Sequence, residues 1–161
     1  MFSRIPDLIR IPEDAHLTHI PAGEEFSNLS AIILEDEFYK FVMENRQIKD
    51  DYSLLNTPGI ICLKAKAYFD LTMRKEKGDE VSDRDIRKHR NDIFRLVTLL
   101  TKSEKINLPD TIKTILNNFL RDLENNPPDY KSLKKDLKKK GIEANLSDSY
   151  VIERLSDAFE L

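Results

Sequence analysis

The sequence is poor in the residues that build several common kinds of site. One cysteine, Cys62, in 161 residues excludes an internal disulfide and a cysteine-rich zinc site. Its place between Ile61 and Leu63 gives it the character of an inert buried thiol, which fits a reducing compartment. Four glycines are too few for a loop that cradles phosphates. HExxH, CxxC and Gly-x-Ser-x-Gly are absent, so no catalytic residue and no metal ligand is assigned. No apolar run approaches the roughly 18–20 residues of a membrane span, and the N-terminus lacks a signal-peptide pattern. The expected location is the cytoplasm, without a membrane partner. A net charge of −3 and a pI near 5.7 exclude a global field that draws nucleic acid or an acidic membrane, so any such contact has to be local.

What is present is the composition of a globular domain, 40% hydrophobic and 34% charged, long enough to bury a core. The expected fold class is α+β: a small incomplete β-sheet in 1–55, followed by a predominantly helical lobe in 56–161. Three of the seven prolines lie in 1–21 and leave room only for short extended pieces at 7–11 and 16–20, on a sheet edge. LSAIIL at 29–34 is the clearest strand, its unbroken apolar run implying cover on both faces. A sheet this small reads as the end of a larger one, and open edges need a partner. Glu35, Asp36 and Glu37 favour a helix start there, with Phe38, Phe41 and Val42 as its buried stripe. Stretch 46–55 suggests short strands about a turn at Lys49, Asp50 and Asp51, with Tyr52, Leu54 and Leu55 returning to the core. Later helices open at Pro109, Asp129 and Ser147, and Gly141 stops the second of them.

The centre of the chain is a pair of amphipathic helices, 58–75 and 83–100, joined by a polar turn. Thr57 is expected to cap the first and Pro58 to open it. At about 100° per residue, the apolar arc of the first holds Ile60, Leu63, Ala67, Tyr68 and Leu71, with Lys64 in its middle. The arc of the second holds Ile86, Ile93, Phe94, Leu96, Val97 and Leu100, with His89 and Arg90 inside it. A short connection favours antiparallel packing, which brings Lys64, His89 and Arg90 to one interface flanked by Asp85 and Asp92. Buried cations without partners cost several kcal/mol. The interface therefore needs carboxylates, a wet cleft or an anionic ligand such as phosphate; otherwise Lys64 and Arg90 reach the rim and His89 bonds a backbone carbonyl.

Other polar clusters carry less. His16 and His19, near Glu13 and Asp14, face opposite sides of an extended segment and read as surface. The acidic groups at 35–37 and 50–51 are explained by capping and turns rather than by Mg²⁺. Six lysines and two aspartates give 129–141 a net charge of +4, attractive to nucleic acid. No aromatics interleave with the lysines to stack bases, so a solvated face is the competing reading.

The stretch LLNTPGIICLKAKAYFDLTMRKEKG followed by SDRDIRKHRNDIFRL resembles the back half of bacterial nucleotidyltransferases of the AbiEii type, a branch of the polymerase-β-like superfamily. Lys64 and Ala67 match a Lys-x-x-Ala helix, and Arg84-Asp85 and Asp92-Ile93 are the nearest match to the family's following helix. The likeness covers about 29–100. It implies that Lys64 and the Asp85–Asp92 region line the nucleotide side of a cleft, with Lys64, His89 and Arg90 on phosphates and Asp85 and Asp92 orienting them or binding substrate. Mg²⁺ and a nucleoside triphosphate are what the complete family fold uses. The family's glycine turn and Asp-x-Asp/Glu pair are missing here, so the resemblance implies a chain without the catalytic lobe, inactive alone. The alternative is a non-catalytic interaction module that pairs with a partner chain or with itself through an open sheet edge, its lysine helix touching an acidic partner.

Overall fold

A computed structural model of the chain describes residues 2–4, 17–20, 29–101, 103 and 105–161. The chain is α+β, with short strands toward the N-terminus followed by a helical lobe. It divides into two compact units, Met1–Asn45 and Arg46–Leu161. The reading from composition drew its line at 55/56; by contacts the 46–55 stretch goes with the helices.

In the first unit, β1 (Phe2–Arg4) runs parallel to β3 (Leu29–Leu34), and β2 (Leu17–Ile20) pairs antiparallel on the other side of β3. The LSAIIL run is thus the central strand, in the order β1-β3-β2, with a strand paired on each of its edges. Helix α1 (Asp36–Glu44) buries Phe38, Phe41 and Val42, and the first two rings meet edge to face at 6.4 Å. The extended piece at 7–11 and the residues Glu13, Asp14 and His16 lie outside the described residues.

The second unit begins with a hairpin, β4 (Arg46–Lys49) and β5 (Tyr52–Leu55), paired from Arg46↔Leu55 to Lys49↔Tyr52. Asp50 and Asp51 both have positive φ, 49° and 63°, the conformation a two-residue type I′ turn requires. Here one expectation fails. Tyr52 and Leu54 do not return to the core; they are 71% and 49% exposed, and Ile48 is 73% exposed.

Five helices complete the unit: α2 (Thr57–Glu76), α3 (Asp83–Val97), α4 (Asp110–Asn125), α5 (Tyr130–Lys139) and α6 (Asp148–Phe159). The cap of α2 is Asn56 rather than Thr57: its Oδ1 accepts from Gly59 N at 2.9 Å, and Thr57 is already helical. The buried face of α2 is also turned from the expected arc. It consists of Ile61, Cys62, Ala65 and Tyr68, while Ile60, Leu63, Ala67 and Leu71 are only half-buried. The first half of α2 is apolar almost all round, so periodicity there does not single out a face. Along α3 the expected face holds at Ile93, Phe94 and Val97. Asp129 and Ser147 cap α5 and α6 through their side-chain oxygens. Among the described residues, no helix is long and apolar enough to cross a membrane.

Candidate functional site

Two ion pairs set the register of the central helices. Lys75 meets Asp83 and, nine residues further along α3, Lys64 meets Asp92. Moving back along α2 is moving forward along α3, so the two helices run antiparallel, as their short connection favours. On this pair four of the five residues singled out from the sequence are half-buried: Lys64, His89, Arg90 and Asp92. Asp85, in the first turn of α3, is exposed and exerts only a weak pull on His89.

The four residues fall into two clusters. In the first, Asp92 accepts from Lys64 Nζ at 2.8 Å through Oδ2 and from Arg95 Nη1 at 2.9 Å through Oδ1. Arg95 reaches on to Asp136 of α5 at 3.5 Å. Burial would raise the carboxyl pKa of Asp92, but the hydrogen bonds and charges of Lys64 and Arg95 outweigh it and hold the group below its ordinary range. His89 stands beside this cluster. Its pKa lies below the usual 6.5, first because burial disfavours the imidazolium and next because Lys64 repels it, against a weaker pull from Asp92.

The second cluster surrounds Arg90, whose side chain is 15% exposed. Its guanidinium stands 6.0 Å from the Phe94 ring centroid and 3.9 Å from Asp122 of α4. Asp122 already accepts from Tyr68 Oη at 2.8 Å and from Asn126 Nδ2 at 3.0 Å. Burial, reinforced by Asp122, pushes the Tyr68 hydroxyl up to about 12. Across the same region Tyr130 donates to Asp148 at 2.5 Å and is likewise pushed up, by burial and then by that carboxylate.

Lys64, Arg90 and Arg95 thus face Asp92, Asp122 and Asp136, and the seam is close to neutral. Its hydrogen bonding is less complete than its charge. His89 Nδ1, Arg90 Nε, Arg90 Nη2 and Arg95 Nε are buried without a hydrogen-bond partner among the described residues. Buried polar atoms are rarely left so, and Arg90 is the extreme case, since two of its three guanidinium nitrogens are among them. Among the described residues no three His, Cys, Asp or Glu side chains gather as a metal site. The aspartates of the seam are engaged by Lys64, Arg90 and Arg95.

Sequence reading missed Arg95, Asp122 and Asp136. Asp92 and Arg95 stand at i, i+3, a spacing that signals an ion pair on one helix. Asp122 gave no such signal, because its partner Tyr68 is 54 residues away.

The depressed pKa of His89 makes stability depend on pH. The folded state holds this proton more weakly than the unfolded chain does, so the contribution is complete above pH 6.5 and is lost as pH falls through the lowered pKa. Urea unfolding followed between about pH 7.5 and 5 shows a shallower loss for His89→Gln than for the parent chain. Equal slopes would mean that the imidazole titrates in the fold as it does in the unfolded chain.

No protein-family model, curated protein or solved structure matches the chain.

Proposed function

We propose that the chain is a nucleotidyltransferase-family protein without its catalytic lobe, inactive alone, which keeps part of a nucleotide-binding cleft along the α2–α3 seam. One observation carries this reading: the guanidinium of Arg90 is largely buried, makes no hydrogen bond through Nε or Nη2, and has its counter-charge 3.9 Å away on a carboxylate occupied by Tyr68 and Asn126. A planar fork of donors that make no hydrogen bond fits a phosphate bidentately once the enclosed seam opens to admit it. Lys64 is committed to Asp92 at 2.8 Å, so Arg90 is the first phosphate contact, with Lys64 and His89 beside it. Asp92 then orients the cations, and Asp85, exposed at the start of α3, faces the substrate side. The resemblance of 29–100 to AbiEii-type proteins supplies the nucleotide as the source of that phosphate.

A thermal-shift screen against the four nucleoside triphosphates with Mg²⁺ tests this. A ligand at about 100 times its Kd adds roughly 2.7 kcal/mol, a rise of several degrees for a chain of this length. Arg90→Lys keeps the charge and loses the fork, and it removes most of the rise while the melting temperature without nucleotide stays near that of the parent chain. If the rise is the same in Arg90→Lys and Lys64→Ala, the site assignment is wrong. No rise with any triphosphate overturns the nucleotide reading.

The second reading, a non-catalytic interaction module, has its own observation. The β4–β5 hairpin exposes Ile48, Tyr52 and Leu54, and a two-stranded sheet is marginal without further partners. This reading requires concentration-dependent association with no nucleotide binding.

A further inference from the structure

Helix α5 and its C-cap present Lys131, Lys134, Lys135, Lys138, Lys139 and Lys140, all exposed. At about 100° per residue the first four fall within an arc of about 100°, and at 1.5 Å per residue the stripe is about 10 Å long. The two acids on this helix are both directed elsewhere. Asp129 accepts from the backbone of Lys131 and Ser132 as the cap, and Asp136 turns to Arg95. None of the six lysines joins an ion pair among the described residues.

The helix that carries the lysines is held in place. Leu133 and Leu137 bury the opposite side of the helix, and the Tyr130 ring packs 5.9 Å from Phe94. Helix stability accounts for only part of the pattern. Lys138 and Lys139 complement the negative C-terminal end, but Lys131 lies in the first turn, at the positive N-terminal end, where a cation is disfavoured.

We infer that α5 is a docking surface for the phosphate backbone of duplex nucleic acid. A line of unpaired cations on a packed helix complements a regular line of phosphates. Its exposed positions are lysine and serine, with no apolar residue to form the dry centre of a protein interface. A single strand is the poorer fit, because the one aromatic on the helix, Tyr130, is turned into Phe94 and gives its hydroxyl to Asp148, leaving no platform for bases. Lysines on phosphates position a duplex without reading it, so binding is independent of sequence. The rest of the chain carries the negative balance, and the attraction is confined to this helix.

Fluorescence anisotropy with a labelled random duplex of about 20 base pairs, between about 50 and 200 mM KCl, tests the inference. Four phosphate contacts give a slope of log K against log salt of roughly −3 to −4. Lys134→Glu with Lys138→Glu weakens binding at least about tenfold and flattens the slope by roughly two. Lys40→Glu with Lys77→Glu changes net charge equally at exposed sites off the helix and leaves binding within about threefold. Circular dichroism confirms that both double variants keep their helix content. Failure to bind at the lowest salt, equal weakening by the two pairs, or equal competition by polyglutamate of matched charge each overturns the inference, the last in favour of an acidic protein.

Discussion

Phe119→Ala costs about 3–5 kcal/mol, a fall in melting temperature of roughly 10 °C or more for a chain of this size. Phe119 on α4 is fully buried. Its ring lies 5.9 Å from Tyr68 of α2, edge to face, and 6.0 Å from Phe94 of α3. Three helices therefore meet on three rings, and aromatic pairs in such arrangements contribute beyond their buried area. Truncation leaves a cavity at the junction of α2, α3 and α4. Leu120→Ala, on the half-buried flank of α4, costs clearly less. Calorimetry on the two variants decides the matter: equal losses would mean that the α2–α3–α4 junction is not the centre of the core.

Asp92→Ala is the second large effect, about 1–3 kcal/mol at neutral pH. The range is below that of a fully buried pair because Asp92, Lys64 and Arg95 keep 22–28% of their side-chain surface in solvent. Removing the carboxylate leaves Lys64 and Arg95 facing each other beside His89 with one acceptor fewer. Adding Lys64→Met to Asp92→Ala restores part of the loss, since Arg95 still has Asp136. The effect also carries a pH signature. The carboxyl pKa of Asp92 is depressed in the fold, so its stabilisation is present above the ordinary 3.8 and disappears as pH falls through the folded value. Parent and variant therefore differ in urea midpoint at pH 7 and converge in acid. A gap that persists unchanged at low pH would assign the loss to packing rather than to charge.

How far these features could be read in advance depended on the range of the interaction. Local chemistry was legible. Acids at the start of α1, Asp129 and Ser147 as caps, and the unbroken apolar run of β3 depend on neighbours a few residues away, and each lies where that chemistry puts it. The cap of α2 was misplaced by one residue because Asn56 and Thr57 are both good caps, and only the geometry at Gly59 selects between them. The face of α2 was misjudged for a related reason: where GIICL offers apolar residues on every side, the partners choose the face. The candidate site divided along the same line. That Arg90 sits on an apolar face was visible from helical spacing, and so was Asp92 as a partner; Lys64, half-buried, stands beside the buried face of α2 and not in its middle. Asp122 and Asp136 were not visible, since α4 and α5 reach α2 and α3 across dozens of residues. The hairpin failed differently. The charged turn at 49–51 predicted its strands, but apolar side chains there carry no mark that tells a core face from an exposed one.

The single thiol of Cys62 gives the helical lobe an internal clock. It is fully buried on α2, and burial drives its pKa well above the ordinary thiol range, so in the closed fold it is neither reachable nor ionised. A thiol reagent reacts only with molecules in which α2 has come away from its neighbours, and with no other cysteine in the chain every modification counts one such opening. The rate of labelling then reads the free energy of separating α2 from the bundle, and the amount by which a bound ligand slows it measures how far that ligand holds the seam shut.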